Sequence, residues 1–151
     1  MSARVDGPVV VGIDGSADAR RALRVAGEIA RGLGTTLIVL HAVGLTEIVD
    51  GERIVSKDHH AAIADQFNAW CESLEPIGNL DWEPRLHHGS PVDTILRVVR
   101  EVGAALVVIG RQGAGQRPEL LLGSTAHQVA ENSPCPVLVV PPAGRSSRPD
   151  H

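Results

Sequence analysis

Short apolar runs bounded by glycine, proline or polar clusters alternate along the chain with longer stretches whose apolar residues recur at helical spacing. Residues 9–13, Val-Val-Val-Gly-Ile, are too few for a helix and end at Asp14-Gly15-Ser16, which predicts a buried strand that turns into a helix cap. Behind Ser16 as N-cap, Ala22, Ala26, Ile29, Ala30 and Leu33 share one helical face, and Gly34 supplies the stop. Residues 35–43 are β-branched and aliphatic, a second buried strand. Residues 44–56 are expected as a loop, longer than the ~2 to 6 residues that usually join α/β units. From Asp58 to Leu74, Ile63, Phe67, Trp70, Cys71 and Leu74 make a second helical stripe.

Over Asp81 to His88, Trp82, Pro84, Leu86 and His88 alternate with Glu83, Arg85 and His87, the pattern of a strand with one face more exposed. Pro84 cannot donate to a ladder and places that strand at a sheet edge. Ser90-Pro91-Val92-Asp93 is a helix start, with serine at N-cap, proline at N1 and an acid at N3; Val92, Ile95, Leu96 and Val99 form its apolar face. Residues 104–109 form a continuous apolar strand, 110–123 a glycine-punctuated loop, 124–133 a helix, and Val137 to Val140 a last strand between proline pairs. The polar stretch 143–151 is expected as a disordered tail, which leaves 1–142 as the folded domain.

The order βαβαβαβαβ demands an α/β fold: an open, five-stranded, mainly parallel sheet with helices on both faces, Rossmann-like in form. With the proline-bearing strand at an edge, the spatial order is 3-2-1-4-5, and its switch point lies between strands one and four. Ligands bind beyond the carboxyl ends of strands at such a point, and the two segments there are residues 12–16, Gly-Ile-Asp-Gly-Ser, and 110–113, Gly-Arg-Gln-Gly.

Composition narrows the function. A length of 151 residues fits one domain, and 43% hydrophobic with 21% charged residues is the make-up of a globular protein. The 14 basic residues are scattered against 18 acids, a formal charge of -4, so no nucleic-acid footprint is expected. Lys57 is the only lysine and follows no GxxxxGK[ST] loop, which excludes a P-loop ATPase. No stretch approaches the ~20 apolar residues of a membrane helix. The opening residues carry no basic segment followed by an apolar run, and Cys71 and Cys135 are far apart, so a cytoplasmic protein with free thiols is expected.

The candidate chemistry lies in residues 110–125, where Gly110, Gly113 and Gly123 are followed by Ser124 and Thr125. Glycines let a backbone approach a phosphate chain and take positive φ, and the free N–H groups that open the next helix favour negative charge. By itself such a GxxG more often makes a tight turn; its place beside the switch point favours an anion cradle. Arg111 and Arg117 are the only cations in the loop, placed to neutralise a triphosphate, with a solvated loop close behind as the alternative.

The spacing G-x2-G-x9-G-[ST], after a Leu-Val-Val-Ile strand and before Pro-Cys-Pro-Val-Leu-Val-Val, resembles the ATP-binding branch of the universal stress protein family over residues 8–142. Val-Gly-Ile-Asp-Gly-Ser at 11–16, Leu-His-Ala-Val at 40–43 and Gly-Ser-Pro at 89–91 are similar family pieces. Gly12 stands where many members carry proline, and Ala105 where an acid often begins the fourth strand. The resemblance implies a universal stress protein-like domain that binds ATP, with Mg²⁺, in a regulatory role. It puts Gly12, Ile13 and Asp14 at the site, Asp14 at the ribose or the phosphate-bound metal, and the Ala42 backbone at the adenine edge. Ile109, Gly110, Gly113, Gly123, Ser124 and Thr125 would surround ribose and phosphates, with no resident metal site. It also implies a homodimer through Val137 to Val140.

Other chemistry is weaker. His59-His60 and His87-His88 lack partners at ligand spacing and read as surface residues. His41 on the apolar second strand reads as a core histidine satisfied by a backbone group, His127 faces solvent or packing, and Ser16 caps a helix rather than forming a GxSxG elbow. Phe67 and Trp70 read as core. With no placed general base the protein is expected to hold ATP rather than consume it. The alternatives are a slow ATP hydrolase, a nucleotidyl-transferring α/β enzyme, against which the missing HxGH motif counts, and an interaction protein with a vestigial site.

Overall fold

A computed structural model describes residues 6–112 and 122–142; Gly113, Arg117 and the expected tail from Ala143 lie outside the described residues. The strands β1 (Val9–Gly12), β2 (Leu37–Val43), β5 (Trp82–His88), β6 (Leu106–Gly110) and β7 (Val137–Val140) form one sheet in the order β5-β2-β1-β6-β7, every pair parallel. These are the five expected strands in the expected spatial order, with β1 central and the proline-bearing β5 at one edge. Their numbers differ because the stretch expected as a loop at 44–56 is instead an antiparallel hairpin of β3 (Thr46–Val49) and β4 (Glu52–Val55). At its tip Asp50 and Gly51 both have positive φ, 52° and 81°, as a two-residue turn matched to strand twist requires.

Among the described residues the domain has four α-helices: α1 (Ala17–Leu33), α2 (His60–Cys71), α3 (Pro91–Val102) and α4 (Ser124–Asn132). The Ser16 hydroxyl accepts from the Ala19 N–H at 3.1 Å, and Gly34 closes α1 in the left-handed region at φ 70°. Ser90 caps α3 in the same way, with Pro91 in the first turn. The second helical stripe is shorter than expected: the helix ends at Cys71, and Glu72–Leu74 continue as one tighter turn.

Strand alternation sorts the core into two layers. Val9, Val11, Leu37 and Val39 face α1 and α2, packing against Leu23, Ala26, Phe67 and Cys71. Val10, Ile38, Leu40 and Val107 face α3 and α4, packing against Ile95, Val99, Ala126 and Val129. Helices therefore cover both faces of a sheet whose centre is apolar on both sides. Among the described residues no helix is long and apolar enough to cross a membrane.

Burial pushes the Cys71 thiol from its ordinary value near 9.0 up to about 11, because a thiolate would lose its hydration among apolar neighbours. Between those values the unfolded chain has released a proton that the folded chain keeps, so this contribution to stability is present below pH 9 and lost as pH rises towards 11. Denaturation at a series of pH values is expected to show that decline, with a shallower slope for Cys71→Ala; equal slopes would contradict it. Iodoacetamide at pH 8 should label the half-buried Cys135 before Cys71.

Candidate functional site

At the carboxyl end of the sheet β1 and β6 are neighbours whose chains depart in opposite directions, β1 into α1 on one face and β6 toward α4 on the other. The crevice between them is a cleft of about 90 Å³ that opens to solvent. Of the residues expected at a site, Gly12, Ile13, Asp14, Ala42, Ile109, Gly110 and Thr125 line this cleft together. Gly123 and Ser124 start the helix that presents Thr125 but are not themselves in the wall, and Gly113 lies outside the described residues. Leu40, Pro91 and Ile95 add apolar wall, while Ser16, His41, Arg111 and Gln112 add polar wall; of these the sequence weighed only Arg111 for phosphate, as a loop cation.

The glycines divide by role. A Cβ on Gly110 would stand 2.9 Å from the backbone of Asp18, so this position is glycine because α1 begins against it. A Cβ on Gly12 would stand 2.9 Å from the Ile95 Cδ1 methyl. Gly123 corrects the expectation of positive φ: its φ of -65° and ψ of 160° are open to any residue. It acts as the N-cap of α4, donates its N–H to the Arg111 carbonyl at 2.8 Å, and accepts the first helical bond from His127 at 3.0 Å. Among the described residues no side chain caps α4, and the N–H groups of Ser124, Thr125 and Ala126 make no hydrogen bond. The cleft therefore meets a helix start with unsatisfied donors and the positive end of its dipole.

Asp14 Oδ1 accepts from the Ser16 N–H at 3.0 Å, which holds the carboxylate at the cleft wall and shapes the turn into α1. Asp18, almost buried, accepts from the Gln112 N–H at 3.1 Å and so ties the loop after β6 to the same helix. His41 is satisfied as the sequence indicates, by a backbone group. Its Nδ1 lies 2.8 Å from the Ile13 carbonyl, which can only accept, so Nδ1 carries a proton. Its Nε2 meets Glu47 Oε1 at 2.9 Å, and Glu47 Oε2 accepts from the Gly44 N–H at 2.9 Å. The ring thus joins β1, β2 and the hairpin, with the Trp70 indole edge-on at 5.0 Å between centroids.

The paired histidines engage neighbours rather than a common centre: His60 and His88 meet edge to face at 5.8 Å, and His87 Nδ1 lies 3.1 Å from Arg97. Among the described residues no group of three or more His, Cys, Asp or Glu side chains could hold a metal.

Comparison with known proteins adds four findings. The family described as the universal stress protein family matches residues 7–141. A universal stress protein of Bacillus subtilis is 31% identical over 145 residues, covering 87% of this chain and 97% of its own. Among solved structures, a universal stress protein in complex with cAMP is 31% identical with a TM-score of 0.70, covering 91% of this chain and 98% of that one. A universal stress protein from Archaeoglobus fulgidus in complex with dAMP is 27% identical with a TM-score of 0.66, covering 90% and 98%.

Proposed function

The chain belongs to the universal stress protein family, and on that premise we propose that it is a regulatory protein that holds an adenine nucleotide, ATP with Mg²⁺ in the working state, in the cleft beyond β1 and β6. The observation that carries the reading is the meeting of an apolar slot with a helix start rich in unsatisfied donors. Ile13, Leu40, Ala42, Ile95 and Ile109 offer a base and ribose a surface free of charge, while the first turn of α4 offers donors to phosphate. The two solved relatives that carry cAMP and dAMP support the choice of an adenine nucleotide. The spacing Gly110, Gly113, Gly123, Ser124 supports ATP.

Asp14 is the one carboxylate in the described wall. Mg²⁺ is held through one or two carboxylates together with substrate phosphates, and Asp14 fits that share of a site without making a metal centre by itself. Both His41 nitrogens are engaged, which leaves the imidazole ill placed to activate water and favours holding the nucleotide over turning it over. Free Cys71 and Cys135 suit a reducing, cytoplasmic setting. The protein works as a homodimer joined through β7, an edge strand whose Leu138 is 37% exposed and whose outer ladder groups have no strand partner among the described residues. A monomer mass in light scattering at micromolar concentration would overturn that part.

Mass spectrometry of small molecules released by denaturing freshly purified protein tests the reading: an adenine nucleotide near one per chain supports it, and its absence with no binding of added ATP or AMP overturns it. Asp14→Asn is expected to keep the turn that Asp14 makes with Ser16, since an amide oxygen also accepts, while losing the charge. Affinity for ATP with Mg²⁺ should fall about tenfold, roughly 1.4 kcal/mol, with AMP affinity and melting temperature unchanged. A lower melting temperature with unchanged Mg²⁺-ATP affinity would make Asp14 a cap only.

A further inference from the structure

Arg111 follows β6 directly, and its backbone is held on both sides, the N–H donating to the Val140 carbonyl at 2.9 Å and the carbonyl accepting from Gly123 at 2.8 Å. By strand alternation its side chain leaves the sheet on the side of Ile109, toward α3 and α4, and it lines the cleft. Its Nε–H is buried without a hydrogen-bond partner. Among the described residues no carboxylate or other acceptor meets its guanidinium, and the two carboxylates at the start of α1 make bonds elsewhere: Asp18 accepts from Gln112 N–H, and Asp14 from Ser16 N–H.

This is an unfavourable arrangement for the chain by itself. A buried donor left unsatisfied costs stability, and a cation beside a helix start meets the positive end of the dipole. An anion placed between the two removes both penalties at once, accepting from the guanidinium on one side and from the first turn of α4 on the other.

We infer that Arg111 is the residue by which this cleft reads a phosphoryl group, making the site selective for a nucleotide over the corresponding nucleoside. The inference rests on the adenine-nucleotide reading and adds which side chain sets its ligand class. Arg111 touches the phosphate through its planar fork, a geometry that lysine does not reproduce, while the base and ribose are held by the apolar wall and are indifferent to it.

Calorimetric titration of the full chain with AMP and with adenosine, for the parent, Arg111→Met and Arg111→Lys, tests this. The parent is expected to bind AMP at least tenfold more tightly than adenosine. Arg111→Met should bring AMP down to the level of adenosine and leave adenosine unchanged, and Arg111→Lys should fall between. If Arg111→Met does not fold, Arg111→Gln, which keeps a polar planar end without the charge, is expected to show the same loss. Folded variants that keep the parent's full preference for AMP would overturn the inference while leaving the nucleotide reading intact. So would a parent that binds AMP and adenosine equally. A parent that binds neither would overturn the nucleotide reading and this inference with it.

Discussion

Gly123→Glu is expected to reduce affinity for AMP and ATP by at least an order of magnitude, equivalent to ~1.4 kcal/mol or more, without unfolding the protein. The backbone at Gly123 has φ -65° and ψ 160°, which any residue adopts, so the new side chain causes no torsional strain. Its effect is electrostatic and steric. The position is the N-cap of α4, where the N–H groups of the first turn have no partner among the described residues, and a carboxylate there would occupy those donors itself while repelling an incoming phosphate. The same substitution could slightly steady α4, because a negative charge suits a helix start. A fall in binding together with an unchanged or raised melting temperature is therefore the signature of a phosphate cradle. Gly78→Ala serves as control, since a Cβ at Gly78 meets nothing within 4 Å. Undiminished binding by a folded Gly123→Glu protein would show that the first turn of α4 takes no part in holding phosphate.

Phe67→Ala is expected to have the largest effect on stability. Phe67 is 2% exposed, is the only phenylalanine, and packs from α2 into the layer formed by Val9, Val11, Leu37 and Val39. Its ring lies 6.3 Å from that of His41 and 6.4 Å from that of Trp70, so a cavity there also loosens the cluster behind the cleft. Removing such a side chain costs about 3–5 kcal/mol, and in a domain of this size the melting temperature should drop by roughly 6 to 20 °C. Thermal unfolding followed by circular dichroism checks this, and a drop of under ~2 °C would contradict the packing described.

The sheet was readable in the sequence because its strands announce themselves twice. Val9 to Val11 and Leu37 to Leu40 are apolar at every position, as strands covered on both faces must be, and Pro84 marks β5 as the edge. The hairpin is not legible in the sequence, although Asp50-Gly51 stands between two four-residue segments that each end in Ile-Val. Such short strands, with Glu47 and Arg53 inside them, carry too weak an alternation to stand out from a loop. Glu47 makes sense only in three dimensions, where it reaches back to His41.

At the site, sequence spacing found the backbone positions where strand ends and a helix start converge, because glycines and a Ser-Thr pair mark such places. It gave less warning of Leu40, Pro91 and Ile95. Periodicity identifies a residue as apolar and inward-facing but does not say whether its inner neighbour is another side chain or the floor of an open cleft. Gly110 shows the converse: a glycine expected to admit phosphate is required by the approach of α1. Arg111 was noticed as a loop cation, but its buried and unpartnered Nε could be seen only with the backbone bonds to Val140 and Gly123 in place.

The most direct measurement is a titration of isotope-labelled protein with AMP, followed through the backbone amide resonances. Binding in the cleft predicts saturable shifts at Gly12, Ile13, Ala42, Gly110, Ser124 and Thr125, with little change at the hairpin tip, Asp50 and Gly51, or along β5. Saturable shifts centred on the hairpin or on β5, or no shifts at millimolar AMP, would contradict a nucleotide site at the carboxyl ends of β1 and β6.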